Sequence, residues 1–369
     1  MTELHAPSPR LRLSPGLSPS VYLNRPLPRL PFPLGEANCR LFSRARVALR
    51  YALAAHHLGD GAEILAPAYH CGIEIEAIHR AGISLRFYDA TPDLAPDESE
   101  LEALRTPSTR GLLLIHYFGF PQDSVRWRRW CDQRGIMLIE DCAQSWLTTR
   151  DGVPSGALAD IAIFSLYKSL PIPDGAALIT AEGRHMPELR RSVGLVATAK
   201  RHIVWLMARH RTADDLMDRF THRDSAIDAG NDTSVSLATR FLLPRTRIRE
   251  VIHARQRNYL ALLSSSREHV PTPFRWLPDG AVPLVFPLES AQGAVLAGHL
   301  QAEGVEARTY WDRPHPLLDT PRFGGAARWR QRLVAVPVHQ ELKPDEVQRL
   351  ASAMRLALQR SSDGGIPQP

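Results

Sequence analysis

Short apolar runs alternate with helix-like segments through the first half of the chain, and this alternation constrains the fold more than any other feature. The apolar runs have the length of buried strands and occupy residues 63–68, 83–90, 111–119, 135–141, 161–166 and 176–180. Residues 44–57, 72–81 and 123–134 instead repeat apolar side chains at a helical period. Such alternation is typical of a parallel sheet covered by helices. The sequence therefore predicts an α/β fold with a large, mostly parallel sheet and helices on both faces.

Proline content and the apolar pattern divide the chain into an arm and two domains. Residues 1–35 contain eight prolines and no periodic apolar pattern, so we expect an extended arm packed on the body or on a partner subunit. Residues 36–245 form the predicted large domain, in which 187–228 has a helical pattern rich in Arg and His. Residues 246–369 form a predicted small α+β domain, with helices at 246–268, 290–303 and 344–359 and short strands at 282–288, 305–309 and 333–338.

Composition excludes several classes of protein. No apolar run approaches the ~18 residues that span a bilayer. The N-terminus also lacks a basic-then-apolar signal pattern, so we expect a cytoplasmic protein that does not enter membranes. The four cysteines form no CxxC pair and no metal-like spacing, which predicts reduced thiols and no metal site. The net charge is +6, but the arginines are scattered along the chain, so we expect no nucleic-acid partner.

An acid stands at the end of one apolar run. Asp141 closes the run 135–141, and Gln144 follows it three residues later. Ligands of parallel sheets bind at the carboxyl ends of the strands, and a buried carboxylate needs a cationic or hydrogen-bonding partner. A protonated pyridine nitrogen is such a partner, and Gln144 could hydrogen-bond a phenolic oxygen on the same ring. The alternative is that Asp141 simply caps a helix or starts a turn.

A lysine follows the next apolar run. Lys168 lies just past residues 161–166, beside a turn, in a chain where only three of the 45 basic residues are lysine. An amine can form a Schiff base with an aldehyde cofactor, whereas a guanidinium stays protonated and cannot. We therefore predict that Lys168 is a Schiff-base lysine; the alternative is a solvated surface lysine.

Phosphate-binding groups are predicted at two places. Ser165, three residues before Lys168, could donate a hydrogen bond to a cofactor phosphate. Ala45 and Arg46 open the predicted helix 44–57, where main-chain N–H groups bind anions. An ordinary N-cap by Ser43 is the alternative for this helix start.

Aromatic rings follow two other apolar runs. The ring of Tyr69 or of His70, after residues 63–68, could stack on a pyridine face. Core packing and a metal ligand are the alternatives for these two residues. Residues 116–119, at the end of another run, could shape the floor of the pocket or simply pack.

Together these segments resemble the DegT/StrS family of sugar aminotransferases over roughly residues 36–355. Residues 139–144 (IEDCAQ) match the family's IEDxAQ motif, and Gly156 with residues 160–165 (DIAIFS) resembles its G-x-x-G-D-[IV]-x-x-F-S run. Residues 304–308 (GVEAR) look like its G-I-x-x-R strand, and residues 336–339 (VPVH) look like its LPLH segment. The resemblance implies a fold-type-I pyridoxal 5'-phosphate transferase, with a seven-stranded sheet in the large domain.

The resemblance also implies what the residues do. Lys168 would hold the cofactor and carry the proton during transamination. The ring nitrogen, the phenolic oxygen and the phosphate would be bound by Asp141, Gln144 and Ser165, and the substrate by Arg308 and His339. The family is homodimeric, with its active site at the subunit interface. Its members typically move an amino group from glutamate or glutamine to a keto sugar on a nucleotide, so we expect a pyridoxal-phosphate-dependent aminotransferase of this kind.

Departures from the family pattern keep two alternatives open. Ser165 precedes Lys168 by three residues where the family usually has five, residues 44–46 replace its S-G-T phosphate turn, and Cys71 replaces its aromatic residue after the first strand. One alternative is another pyridoxal-phosphate reaction, such as that of a lyase or aldolase. The other is a non-catalytic member that binds or regulates. Related sugar dehydratases carry His in place of the lysine, so Lys168 argues against that branch.

Overall fold

The computed structural model describes residues 10–180, 189–207 and 233–362. In chain order the strands are β1 Cys39–Phe42, β2 Glu63–Pro67, β3 Ser84–Tyr88, β4 Thr109–Ile115, β5 Met137–Asp141, β6 Thr149–Arg150, β7 Val153–Pro154, β8 Ile161–Ser165, β9 Ala176–Thr180, β10 Arg190–Arg191, β11 Thr233–Ser234, β12 Phe286–Glu289, β13 Arg308–Thr309 and β14 Leu333–Val336. The described α-helices are α1 Ala45–Ala55, α2 Ile73–His79, α3 Glu98–Leu104, α4 Ser124–Arg134, α5 Leu166–Ser169, α6 Leu195–Met207, α7 Leu237–Leu242, α8 Ile248–Ser266, α9 Gly293–Ala302, α10 Gly324–Arg332 and α11 Pro344–Ser362.

A seven-stranded sheet forms the centre of the molecule, in the order β1-β9-β8-β5-β4-β2-β3. Strands β3, β2, β4, β5 and β8 are parallel neighbours, whereas β9 runs antiparallel to both β8 and β1. The predicted mostly parallel sheet of seven strands is therefore confirmed. The apolar runs did not reveal β1, because it is a partly exposed strand of four residues with a single fully buried side chain.

Helices cover both faces of this sheet, and the alternation of side chains along β5 shows how. Leu138 packs in one buried cluster with Trp127 and Trp130 of α4. Ile139 points to the opposite face and belongs to the cluster that contains Val47 of α1 and Ile75 of α2. A strand that is apolar on both faces is typical of a covered parallel sheet, which explains why the sequence revealed β5 as a continuous apolar run.

Helix α4 delivers the chain into β5 through well-defined ends. The Asp123 carboxylate accepts a hydrogen bond from the Arg126 N–H and caps the first turn. Gly135 ends the helix in the left-handed conformation, at φ 61°, which glycine adopts without steric cost. These two signals fix where β5 begins. They therefore place its fifth residue, Asp141, at the end of the strand.

A three-stranded antiparallel sheet, in the order β12-β14-β13, lies in the part of the chain assigned to the small domain. Helices α9 and α11 pack on each other beside it, and α11 also contacts α8. The core cluster is continuous between the two sheets, since it contains Ile139 of β5 together with Phe286 and Val334. The domain boundaries after residues 35 and 245 stay predictions.

The described part of the Pro-rich arm, from residue 10, packs on the body of its own chain. The Leu11 N–H donates to the Gly304 carbonyl at 2.8 Å, and the Glu306 N–H donates to the Leu11 carbonyl at 2.7 Å. Further along, Leu17 and Val21 are buried. The arm is thus bound both by main-chain hydrogen bonds and by apolar contacts.

The segment 187–228, predicted to be helical, is described only in part. Strand β10 and helix α6 lie within it, while residues 187–188 and 208–228 lie outside the described residues. Among the helices that the structure describes, none combines the length and the apolar character needed to cross a bilayer.

Candidate active site

The carboxyl ends of β2, β4, β5 and β8 meet at one edge of the large sheet. Asp141 ends β5, and Ser165 ends β8 and serves as the N-cap of the single turn α5, which contains Lys168. Residues 69–71 follow β2 directly. The parallel pairing of β5 with β8 sets Asp141 opposite Ile163, two residues before the end of β8. The fold therefore brings the predicted acid and the predicted amine to neighbouring strand tips.

Asp141 is a buried carboxylic acid whose ionised form is disfavoured by its surroundings. Its side chain is 8% exposed, and its Oδ1 accepts a hydrogen bond from the Ala143 N–H at 2.8 Å. Burial raises the pKa of Asp141 to about 6, and the charge of Glu74 adds to the rise while the charge of Lys168 opposes it. Such a carboxylate gains from any cation that comes beside it.

Lys168 shares this electrostatic environment. Burial disfavours its ammonium form, but the acidic groups around it outweigh burial and raise the pKa of Lys168 above the usual range; these groups are Cys71, Tyr167, Tyr310 and Asp141. Each of Asp141 and Lys168 shifts the pKa of the other. The acid and the amine therefore lie close enough for each to act electrostatically on the other.

Several buried polar atoms at these strand tips have no hydrogen-bond partner within the described parts of the chain, and those of Gln144 and Ser165 are among them. The Gln144 Oε1 accepts a hydrogen bond from the Phe118 N–H at 2.8 Å, but the Gln144 Nε2 makes none. The Ser165 Oγ is also buried and without a partner among the described residues. Buried polar groups are rarely left unpaired, so each is a candidate to bind a ligand. An amide donor suits a phenolic oxygen, and a hydroxyl donor suits a phosphate.

The start of α1 lies beside the turn that carries Lys168. The Ser43 carbonyl accepts a hydrogen bond from the Gly175 N–H at 3.0 Å, and the Arg44 guanidinium lies 4.8 Å from the ring centre of Tyr167. The N-cap residue is Arg44, which makes no side-chain capping hydrogen bond, so an N-cap by Ser43 is wrong. Ala45 and Arg46 thus open a helix whose first turn is not capped by its own N-cap side chain, an arrangement that suits an anion.

The turn that carries Lys168 is fixed by a hydrogen bond from Arg255, a residue that sequence reasoning missed. Arg255 of α8 is 1% exposed and donates to the Ser169 carbonyl at 3.1 Å. The same guanidinium donates to the Pro283 and Leu284 carbonyls. Burial lowers the pKa of Arg255 to about 10, so the side chain is still charged at neutral pH. An arginine within an otherwise ordinary helical pattern gives no sign of this role in the sequence.

Tyr69 and His70 lie next to the site but have other neighbours. The Tyr69 ring packs between Tyr117, at 5.7 Å, and Trp311, at 5.0 Å between ring centres. This is the core packing that was the alternative for Tyr69. The His70 ring stacks on Phe87 at 5.7 Å. Burial lowers the pKa of His70 to about 4, so this ring is neutral at physiological pH.

Cys71 and Glu74, which the sequence did not single out as site residues, are electrostatically coupled to Lys168 and Asp141. The ionisation of Cys71 is coupled to that of Lys168, and the charge of Glu74 raises the pKa of Asp141. Glu74 is buried, and the sequence signal that could have revealed it is an acid in the first turn of a helix that directly follows a strand.

His116, Glu140 and Cys142 form a buried group whose possible ligand atoms lie within 4.8 Å of one another. The His116 Nδ1 accepts from the Gln122 N–H at 3.0 Å, so in the neutral ring the Nε2 carries the proton and donates to Glu140 at 2.9 Å. The same carboxylate oxygen of Glu140 accepts from the Gly156 N–H at 2.6 Å. Hydrogen bonds account for this arrangement, and the absence of a metal stays a prediction.

The two predicted substrate-binding residues lie apart from each other. Arg308 is exposed on β13 and pairs with Glu306. Burial raises the pKa of Tyr310, and the charges of Lys168 and Arg308 both oppose that rise. His339 is buried, and both of its ring nitrogens are occupied: Nε2 bonds the Arg12 carbonyl at 2.9 Å and Nδ1 accepts from the Glu341 N–H at 3.2 Å. His339 therefore has no ring nitrogen left for a substrate.

A family model matches this chain across the segment that contains these residues. It is described as the DegT/DnrJ/EryC1/StrS aminotransferase family and matches residues 33–219, just over half of the 369 residues. The match covers both motif segments, those that end in Gln144 and in Lys168.

Curated relatives are similar over parts of their length. A dTDP-3-amino-3,4,6-trideoxy-alpha-D-glucose transaminase of Micromonospora megalomicea subsp. nigra is 30% identical over 161 residues, which are 42% of this chain and 43% of the relative. The chain thus spans less than half the length of that relative. A protein of the same name from Streptomyces venezuelae is 23% identical over 328 residues, which are 84% of this chain and 79% of the relative.

The fold is shared with solved structures. The aminotransferase TlmJ from Streptoalloteichus hindustanus superposes with a TM-score of 0.66 and 21% identity, over 88% of this chain and 87% of that protein. This likeness bears out the fold-type-I architecture that the sequence predicts.

Proposed function

The chain belongs to the DegT/DnrJ/EryC1/StrS aminotransferase family, and on that premise we propose that it is a pyridoxal-phosphate-dependent aminotransferase that acts on a keto sugar. One observation carries the proposal: Asp141 and Lys168, at neighbouring strand tips, share one buried electrostatic environment. The unpartnered Gln144 and Ser165 atoms at the same tips support it.

The residues present fit pyridoxal phosphate. Asp141 would pair with the ring nitrogen, because a carboxylate whose pKa burial raises gains most from a cationic neighbour. The Gln144 Nε2 would donate to the phenolic oxygen. The Ser165 hydroxyl and the main-chain N–H groups of Ala45 and Arg46 would bind the phosphate.

In the reaction, the chain contributes position and proton transfer. When bound, pyridoxal phosphate supplies an aldehyde that takes up the amino group and a ring that accepts an electron pair. Lys168 would bind the cofactor through its amine. Once an amino donor displaces it, the freed Lys168 amine would carry a proton from the α-carbon of the donor. Arg255 fixes the turn on which this amine moves, through the Ser169 carbonyl.

The substrates follow from the relatives and from the charge of the site. The relatives named above are transaminases of a dTDP-linked amino sugar, and another is named an L-glutamine:2-deoxy-scyllo-inosose aminotransferase. For this chain we therefore propose a keto sugar, nucleotide-linked, as acceptor and glutamate or glutamine as donor. The exposed Arg308 and the net charge of +6 suit the phosphates of such an acceptor.

A second copy of the chain is the proposed protein partner. Large apolar side chains are exposed on α6, on α7 and in the segment before α6, among them Val193, Leu195, Val196, Leu237 and Phe241. These segments form one surface, because the Leu237 N–H donates to the Ser192 carbonyl and β10 pairs with β11. A contiguous apolar patch marks an interaction site, so we expect a dimer in light scattering coupled to gel filtration.

The decisive experiment labels the lysine. Protein incubated with pyridoxal phosphate and reduced with borohydride should carry one pyridoxyl group on Lys168 in peptide mass spectrometry. Lys168→Ala should lose the adduct, while the matched control Lys343→Ala, at an exposed lysine before α11, should keep it. Glutamate should then deplete the reducible form and release 2-oxoglutarate. An adduct that persists in Lys168→Ala would refute the assignment.

A further inference from the structure

Cys71 and Glu74 form a hydrogen-bonded pair just after β2. The Glu74 Oε1 accepts a hydrogen bond from the Cys71 N–H at 3.0 Å, and its Oε2 accepts one from the Cys71 S–H, also at 3.0 Å. Gly72 lies between them at φ 91° and turns the chain into α2, so that the carboxylate reaches back to residue 71. A side chain other than glycine would be strained in this left-handed conformation.

The pair follows β2, whose carboxyl end lies at the same edge of the sheet as the predicted amine and the predicted acid. On one side, Cys71 and Lys168 affect each other's pKa. On the other side, the charge of Glu74 affects the pKa of Asp141. The thiol and its carboxylate are therefore electrostatically coupled to Lys168 and Asp141 at this edge of the sheet.

We propose that Glu74 is a positioning residue of the cofactor site. By accepting both hydrogen bonds that Cys71 can donate, it fixes the sulfur beyond the end of β2, at the sheet edge that carries Lys168 and Asp141. A thiol held in this way takes little room and makes favourable contacts with an aromatic ring. The part of this inference that concerns the cofactor rests on the proposed function, whereas the thiol–carboxylate pair stands by itself.

The pair has a chemical consequence that can be measured without a cofactor. Burial raises the pKa of the Cys71 thiol, and the charge and hydrogen bond of Glu74 raise it further, while Lys168 opposes the rise. The titratable groups that face this thiol are Glu74 on α2, Lys168 on α5 and Tyr310 after β13. Since the thiolate is the form that reacts with alkylating agents, Glu74 holds Cys71 unreactive.

The first experiment follows the alkylation of cofactor-free protein by iodoacetamide as a function of pH, with each cysteine quantified by mass spectrometry. Glu74→Gln keeps an acceptor for the Cys71 N–H but loses the negative charge and the acceptor for the S–H. We expect its Cys71 profile to move to lower pH, with a rate gain at neutral pH of about tenfold for each unit of pKa. The half-buried Cys39 serves as the internal reference.

A matched variant separates this effect from damage to the helix. Glu76→Gln makes the same change on α2, at a carboxylate that pairs with Arg80 and His315 instead. It should leave the Cys71 profile in place. An unchanged profile in Glu74→Gln would overturn the proposal. So would a rise in the rates of Cys71 and Cys39 together without a change in the midpoint pH of Cys71, because that result means a loosened helix.

The second experiment adds pyridoxal phosphate. Its binding should slow the alkylation of Cys71 and leave that of Cys39 unchanged. If Lys168 acquires the reducible adduct while Cys71 reacts as before, Glu74 does not position a group at the cofactor, and the proposed function stands without this inference. If no adduct forms, the proposed function fails, and the pH profile of Glu74→Gln still decides whether the pair exists.

Discussion

Asp141→Asn should make the cofactor-free protein more stable, and the size of the gain follows from the site. The folded pKa of about 6 lies about two units above that of an unfolded aspartate. Two units correspond to about 3 kcal/mol, by which the ionised Asp141 destabilises the fold at neutral pH. The Asn side chain can still accept from the Ala143 N–H, but its amide leaves a buried donor, at a cost of about 1 kcal/mol. The net gain is therefore about 2 kcal/mol.

The stability difference between Asp141→Asn and the wild type should depend on pH in a defined direction. Because the folded pKa is the higher one, the destabilisation by Asp141 is complete above about pH 6 and disappears below about pH 4. Urea unfolding of the wild type and of Asp141→Asn should thus differ by about 2 kcal/mol near pH 8, and the difference should vanish or reverse near pH 4.

Asp174→Asn is the matched control, with the opposite expected sign. Asp174 is equally buried, but its carboxylate accepts hydrogen bonds from the Ser236 N–H and O–H and from the Thr239 hydroxyl. Its replacement should therefore destabilise the fold. If Asp141→Asn also destabilises at pH 8, or if its effect does not change with pH, the carboxylate carries no unbalanced charge and the reasoning from its burial is wrong.

Two further substitutions test the polar groups around Lys168. Ser165→Ala should leave the stability of the cofactor-free protein unchanged within about 0.5 kcal/mol, because the hydroxyl has no partner to lose among the described residues. It should nevertheless raise the dissociation constant for pyridoxal phosphate about tenfold or more in a fluorescence titration. Equal affinity of the variant and the wild type would remove Ser165 from the phosphate site. Arg255→Met should destabilise the fold by about 3 kcal/mol in urea unfolding, since it leaves the buried Pro283 and Leu284 carbonyls unpaired and the Ser169 carbonyl with Gln340 Nε2 as its donor. The exposed Arg257→Met on the same helix should have little effect. Equal stability of these two variants would contradict that role.

The strand tips could be predicted from the sequence because their signals are local. Strands β5 and β8 are apolar on both faces, so each is a continuous run that ends at a polar residue. The rule that parallel strands bind ligands at their carboxyl ends then suffices to connect Asp141 with Lys168. No long-range information is needed beyond the expectation that β5 and β8 are neighbours.

The rest of the site could not be predicted because it depends on contacts between distant segments. Arg255 lies on α8 and acts on the turn after β8, 86 positions away in the chain. His339 resembles a motif residue, but the arm, through the Arg12 carbonyl, occupies its Nε2. Tyr69 is a plausible stacking ring from the sequence, but in the structure Tyr117 stacks on it and Trp311 packs against it. In each case a partner that the local pattern does not contain decides what the side chain does.

The buried acids of the site are not fully balanced by cations of the chain, which indicates that the site binds a ligand with a positive charge. Asp141 and Glu74 are two buried acids. The charge of Glu74 adds to the rise that burial causes in the pKa of Asp141, while Lys168, the Ala143 N–H and His116 oppose that rise without cancelling it. A fold optimised for stability would replace one acid, since a single neutral substitution at Asp141 is expected to gain about 2 kcal/mol. Retention of both acids is understandable if a ligand brings a positive charge beside Asp141. The protonated ring nitrogen of pyridoxal phosphate supplies that charge, so cofactor binding should stabilise the wild type more than Asp141→Asn, and the stability difference between the two proteins should shrink when both are saturated with cofactor.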